Sequence, residues 1–299
     1  MRKLFHFAVA ASLFVACGGE HQPSVEEQHT IDSTTLKVAV MPTLDCLPFY
    51  VAEAHGMLQT DSLHVALVHY TAQMDCDTAI ARERVECMVT DLVRAERLQQ
   101  QGTPLSYLSA TGLSWQLLTS YQARIRQLKQ LDDKMLAMTR YSATALLADQ
   151  AVDSAGLKAE RVFRIQVNDV GIRLSMLENN IMDALLLPEP QATQARNLRA
   201  RVLTDSRRQD VWLGVIAASA KAQKTDGRRE QMARLMAVYD RACDSINTYG
   251  LAAYRDLICQ RCGVKAATVD SLPTDLHFSH AAPPRQQDID RAKAWLNKP

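Results

Sequence analysis

The feature that most constrains the fold is an alternation of short apolar runs with helical spacings, each apolar run ending at proline or small polar residues. LKVAVMP (36–42) reads as a strand stopped by proline, which fixes φ and brings no N–H to a ladder. LPFYVAEAHGML (47–58) follows with helical spacing: Phe49, Ala52 and Leu58 fall broadly on one side, and Gly56 lies near the end. LHVALVHYT (63–71) alternates like a second strand, and ECMVTDL (86–92) and PLSYLSAT (104–111) read as a third and a fourth. Strands separated by helices predict a parallel sheet covered on both faces.

A second series repeats the plan. KMLAMTR (134–140), RVFRIQV (161–167) and IMDALLLP (181–188) read as strands, with helices over 142–157 and 168–180 between them. This predicts a second α/β lobe. ARVLTDS (200–206) and VWLGVIAAS (211–219) read as extended segments crossing back, and the tail from about Asp226 to Lys298 as helices covering the first lobe. DALLLPEPQAT (183–193) stops at Pro188 and Pro190, which bracket Glu189. The two prolines predict a rigid rim that aims Glu189 into a cleft, at the carboxyl end of a strand where ligands sit in open α/β sheets.

The N-terminus has a different character. MRK is a short positive region and LFHFAVAASLFVA is apolar but too short for a stable span. FVAC followed by GGE is similar to a bacterial lipoprotein signal, cleaved before Cys17 with lipid on its sulfur, although Phe14 stands where Leu is commoner. An ordinary secretory signal that happens to contain a cysteine is the alternative. Residues 18–35 are polar and aperiodic, as expected of a tether. The folded part is therefore expected outside the cytoplasm. A net charge of +1 with no long run of one sign gives nucleic-acid binding no electrostatic support.

The stretch LKVAVMPTLDCLPFYVAEAHGMLQTDSLHVALVHYTAQMDCDTAI, with RVECMVTDL, QLDDKMLAMTRYSAT, IMDALLLPEPQAT and PRQQDIDRAKAWL in the same order, resembles substrate-binding proteins of ABC importers for nitrate, sulfonates, taurine and thiamine precursors. The resemblance spans nearly all of 36–298. It implies an α/β, bilobed periplasmic-binding-protein-like fold (type II), two α/β lobes with mostly parallel sheets and a hinge. The boundaries it suggests are a signal peptide at 1–16, a lipidated tether at 17–35, lobe 1 at 36–118, lobe 2 at 119–206 and a return to lobe 1 at 207–299. It also implies a monomer that binds a small solute, a sulfonate- or nitrate-like anion or a thiamine-precursor-like heterocycle, without cofactor or catalysis. The partners would be an ABC permease and, through the lipid, the membrane of the cell envelope. Enzymes of cofactor biosynthesis share the scaffold, so fold alone leaves an enzyme as the alternative.

Loops at the carboxyl ends of strands supply the candidate ligand residues. They are Thr43, Asp45 and Cys46 after the first strand, Thr71, Gln73 and Asp75 after the second, Thr90 and Asp91 after the third, Arg140, Tyr141, Ser142 and Thr144 opening the first helix of the second lobe, and Glu189. A helix start bearing hydroxyls beside Arg140 is a ready anion site, whereas Ser142 as a simple cap is the plainer reading. Several acids facing the cleft would instead suit a cation, an amine or a metal, or a zwitterion using both walls. Beyond Cys17, six cysteines in an oxidising compartment predict disulfides. Cys46 and Cys76 with Met41 and Met74 form an alternative soft-metal set, and a metal-capturing lipoprotein is a third reading. CQRC (259–262) and HFSH (277–280) superficially resemble a zinc site, but the histidines are one residue too close. There is no G-x-S-x-G, H-E-x-x-H or P-loop, so no motif supports catalysis.

Overall fold

The computed structural model describes residues 34–60 and 62–298; the expected signal peptide, Cys17 and the tether up to residue 33 lie outside the described residues. The first lobe runs β1 (Leu36–Val40), α1 (Leu47–Ala54), β2 (Gln59–Thr60), β3 (Leu63–His69), α2 (Gln73–Ala81), β4 (Cys87–Asp91), α3 (Leu92–Gln100) and β5 (Leu105–Ala110). The second follows as β6 (Trp115–Thr119), β7 (Lys134–Met138), α4 (Ala143–Ser154), β8 (Val162–Gln166), α5 (Val170–Glu178), β9 (Ala184–Pro188), α6 (Gln191–Asn197) and β10 (Arg201–Asp205). The chain returns as β11 (Gly214–Ser219), then α7 (Asp226–Tyr249), α8 (Arg255–Cys262), α9 (Ala266–Val269) and α10 (Gln286–Leu296).

Two sheets result, in the orders β2-β3-β1-β4-β11-β5 and β10-β6-β9-β7-β8. The series of strands and helices read from the sequence is parallel: β1 pairs with β3 and β4, and β7 with β8 and β9. The sheets are mixed rather than mostly parallel, because β11 pairs antiparallel with β4 and β5, and β6 antiparallel with β9 and β10. The cause is the crossing itself. A strand arriving from the other lobe enters its sheet at the cleft end and runs away from it: Gly214 opens β11 opposite Asp91, and Trp115 opens β6 opposite Pro188. Trp115–Thr119 therefore lies in the second sheet, so the chain changes lobes at 111–114 rather than at 118.

The central strands β1 and β9 are largely apolar because both faces of their sheets are covered there. All five residues of β9 are buried, as are Leu36, Val38, Ala39 and Val40 of β1. Each such Leu or Val contributes about 1.5–3 kcal/mol by leaving water. The two crossings, 111–114 and 206–213, run side by side: Thr111 N–H donates to Gly214 O at 2.9 Å, and Ser206 N–H to Trp115 O at 3.0 Å. Gly214 has to be glycine, since a Cβ there would collide with Thr111 Oγ1 and lie 2.8 Å from Leu113 Cβ. The closing helix α10 touches both lobes. It packs on α3 and α4, and Trp295 Nε1 donates to Asp149 of α4 at 2.9 Å. The tail thus covers the join as well as the first lobe.

Candidate functional site

The lobes meet where β1, β4 and β9 end. After β1, Thr43 Oγ1 donates to Asp45 Oδ1 at 2.5 Å, and Leu44 N–H crosses to the second lobe to donate to Glu189 O at 3.0 Å. Burial pushes the Asp45 carboxyl up to about 6, against the lowering pull of its hydrogen bond from Thr43. Cys46 faces inward, wholly buried, its Sγ accepting from Met41 N–H at 3.2 Å. It belongs to the core of the first lobe.

Asp91, the last residue of β4, joins the lobes most directly. Its Oδ1 accepts from Arg94 N–H at 3.0 Å, capping α3 of its own lobe, and from Ala143 N–H at 3.0 Å, at the start of α4 in the other. One carboxylate oxygen therefore satisfies two helix N-termini, one from each lobe. Its Oδ2 is buried without a hydrogen-bond partner, as are Thr90 Oγ1 beside it and Arg94 Nη1. Burial pushes the Asp91 carboxyl up to about 7, although Arg94 and the two N–H donors favour the ionised form. Arg94 is itself buried and held in a two-pronged pair with Asp77 on α2.

In the second lobe, Ser142 caps α4: its Oγ accepts from Thr144 N–H at 3.1 Å and donates to Thr139 O at 2.7 Å. Thr144 Oγ1 accepts from Thr139 N–H at 2.9 Å. These hydroxyls are thus occupied within their own turn, and the free helix N–H of Ala143 is taken by Asp91. Glu189 is 6% exposed and folds back on α6, its Oε2 accepting from Thr193 N–H at 3.0 Å and Thr193 Oγ1 at 2.7 Å. Its Oε1 lies 2.9 Å from Arg196. Gln191, two residues on, reaches the first lobe, donating to Pro42 O at 2.7 Å and Cys262 O at 3.1 Å.

Asp45 and Glu189 border one small cavity, with Leu44, Gly112, Tyr239 and His277 among its walls. Its volume is about 40 Å³. That is room for a few waters, whereas small-molecule sites occupy roughly 300–1,000 Å³. The cleft is closed on itself. Around its rim the remaining candidates stand apart from this cavity: Thr71, Asp75, Arg140 and Tyr141 are exposed and Gln73 is half-buried. Arg97 of the first lobe lies 4.0 Å over the Tyr141 ring, and Ala72 pairs with Asp169 through a single backbone bridge, so the rim too is drawn together.

Gln191, Arg94 and Tyr239 are not among the residues the sequence points to, and His277 is, but as part of HFSH and not as a wall of this cavity. Gln191 follows directly on the PEP turn, and Arg94 lies three residues after Asp91, at the spacing of a capped first turn; both carried a signal. Tyr239 and His277 come from the tail, whose placement no local pattern discloses. The six cysteines within the described residues are free, contrary to the expected disulfides. Cys46 and Cys76 are separated by Met41, which donates its N–H to one and accepts from the other at its sulfur, 3.6 Å away. Among the described residues no group of three or more His, Cys, Asp or Glu is arranged to hold a metal. His280 instead pairs with Asp244 at 2.7 Å. Nor does any helix of the described residues have the length and apolarity to cross a membrane.

Comparison with known proteins bears on this arrangement. The NMT1/THI5-like family model matches residues 43–261. No curated protein sequence matches the chain. Among solved structures, the periplasmic aliphatic sulphonate binding protein SsuA from Escherichia coli is similar, with a TM-score of 0.71 at 16% identity over 88% of this chain and 87% of that one. The alkanesulfonate-binding SsuA from Xanthomonas axonopodis pv. citri, bound to MOPS, has a TM-score of 0.74 at 16% identity over 88% and 91%. The periplasmic nitrate-binding protein NrtA from Synechocystis PCC 6803 has 0.67 at 11% over 85% and 74%.

Proposed function

The chain belongs to the NMT1/THI5-like family, and from that premise we propose that it is an extracytoplasmic solute-binding protein that delivers a small organic molecule to an ABC importer. The observation that carries the reading is the seam. Asp91, Leu44 and Gln191 bond across it from strand-end loops, so closing the lobes completes helix caps that opening would break. A solute that bonds both walls would stabilise the closed state in the same way, and binding of this kind needs no chemistry.

The walls favour one ligand class over another. The start of α4, where an anion would bind, already holds the Asp91 carboxylate, and Asp45 and Glu189 border the adjoining cavity. A heterocycle or zwitterion offering N–H donors fits these acceptors better than a bare sulfonate or nitrate does, since the Ala143 N–H that an anion would use is already taken by Asp91 Oδ1. Solute binding by the similar periplasmic SsuA and NrtA proteins supports the role, not the cargo. The FVAC site further suggests a lipid on Cys17 that tethers the protein to the envelope membrane. Replacing Cys17 with Ser should then release it from membranes, and retention would remove the anchor from the account.

The test of function is a thermal-shift screen with pyrimidines, other nitrogen heterocycles, amino acids, sulfonates, nitrate and divalent metals. A true solute at about 100 times its Kd adds roughly 2.7 kcal/mol, a shift of several degrees. A donor-bearing heterocycle or zwitterion is the expected hit. A shift with metals alone, or turnover of a hit instead of its recovery unchanged, would replace the transport reading.

A further inference from the structure

A broad concavity lies away from the seam. Its walls come from the segment after β6 and from the junction of α6 with β10, and four of its lining residues are arginines: Arg124, Arg126, Arg199 and Arg201. Its volume is about 800 Å³. The register of the second sheet fixes its place. Pro188, beside the cleft, pairs with Trp115 at one end of β6, while Thr119 at the other end pairs with Ala184 and Arg201. The four arginines therefore mark the end of the second lobe remote from the cleft.

Several arginines elsewhere in the second lobe are paired with carboxylates. Arg161 lies 2.5 Å from Asp132, and Arg196, on the helix leading into this region, 2.9 Å from Glu189. Among the described residues none of the four guanidinium groups has a carboxylate partner; Arg199 instead lies 5.8 Å from the centre of the Tyr121 ring, which is 65% exposed. With a whole-chain net charge of only +1, this is a local concentration of positive charge.

The backbone adds a second, independent observation. Helix α6 ends in a paired turn in which Ala200 N–H donates to Ala195 O at 3.0 Å and Arg199 N–H to Arg196 O at 2.9 Å. The residue closing such a turn has a left-handed backbone and is usually glycine. Here it is Arg199, at φ +66°, and Arg124 across the concavity is likewise left-handed at φ +54°. Two of the four arginines thus occupy left-handed positions, as do Glu83, Asp133, Tyr141, Asn180 and Asp210 elsewhere, where glycine would be less strained.

We propose that this concavity is a binding site for a multivalent phosphate-bearing anion. One carboxylate would satisfy a single guanidinium fork, whereas a phosphoester or polyphosphate presents enough oxygens to engage several. The shared chemistry has two sources, free polyphosphate or the phosphate headgroups of an anionic bilayer beside which a tethered protein would sit.

The full chain would be titrated with sodium triphosphate, and separately sedimented with phosphatidylcholine vesicles with and without phosphatidylglycerol. Each assay would be run beside a variant carrying R124Q, R126Q, R199Q and R201Q together, and beside Arg199→Gly. Wild type should bind triphosphate or the phosphatidylglycerol vesicles with an affinity that falls as salt rises, and the fourfold variant should lose about tenfold or more. Triphosphate alone assigns the soluble source, and vesicles alone the bilayer. Arg199→Gly separates binding from folding: it should weaken capture while leaving the melting temperature unchanged or raised, because glycine relieves the left-handed position. No binding in either arm, or equal binding by wild type and the fourfold variant, overturns the proposal.

Discussion

Asp91 and Glu189 are placed alike and behave differently. Asp91 ends the central strand β4 and Glu189 directly follows the central strand β9, and each accepts from the first turn of the helix that follows, through Arg94 N–H and Thr193 N–H respectively, both at 3.0 Å. Each also touches the other lobe, but by different atoms. Asp91 crosses with its side chain, to Ala143 N–H, whereas Glu189 crosses with its main-chain carbonyl, to Leu44 N–H. Side-chain length decides this. The short aspartate stays near its own backbone and can offer one oxygen to two N–H groups, while the longer glutamate folds back onto Thr193 and Arg196. The lesson is that closure on the Asp91 side depends on a titratable, replaceable group, and on the Glu189 side on backbone that substitution leaves intact.

Asp91→Ala should have the largest effect. It removes the cap of α3 and the acceptor of Ala143 N–H at the start of α4, leaving two buried N–H groups unbonded, a cost of about 2–4 kcal/mol readable in urea unfolding. A loss as small as that of an ordinary surface cap would mean that the two lobes do not share the carboxylate. Gln191→Ala removes two donors to the first lobe and should cost about 1–2 kcal/mol. Glu189→Gln keeps an acceptor for Thr193 and should cost about 1 kcal/mol or less, losing mainly the part-buried pair with Arg196. Yet it should weaken solute binding if Glu189 faces the solute. Equal affinity in calorimetry would place it outside the binding surface.

The comparison also predicts a pH dependence. Asp91 and Asp45 have folded values raised to about 7 and about 6 from 3.8. Between 3.8 and these values the unfolded chain releases protons that the folded chain keeps, so their combined contribution to stability is greatest at low pH and falls as pH rises toward 7. Asp91→Asn, which cannot titrate, should flatten the upper part of that decline relative to wild type. An unchanged difference between the two proteins from pH 4 to 7 would show that Asp91 is ionised throughout.

Much of the scaffold was legible in the sequence: β1 and β9 lie in continuous apolar runs, β3 alternates, and these with β4, β7 and β8 fall within the stretches read as strands. Trp115–Thr119 was not read as a strand, although it is apolar and largely buried, because it carries no flanking helix and enters its sheet from the other lobe. Helix α2 stands where the sequence predicts a polar loop, since QMDCDTAIA has little apolar periodicity and buries only Cys76, Ala79 and Ile80. At the seam, acids at strand ends were visible as residues, but what each one bonds depends on the other lobe. Spacing could not show that Asp91 reaches α4 while Ser142 caps it from within.

The most direct test is the distance between the lobes, measured by pulsed electron resonance with spin labels at the exposed positions Gln101 and Glu160, one on each lobe. The account predicts a closed population in the wild type without solute, a shift to longer distances in Asp91→Ala, and a return to the closed distance when the solute found by thermal shift is added. A distance that neither the substitution nor any such solute alters would contradict a protein that works by closing two lobes over its cargo.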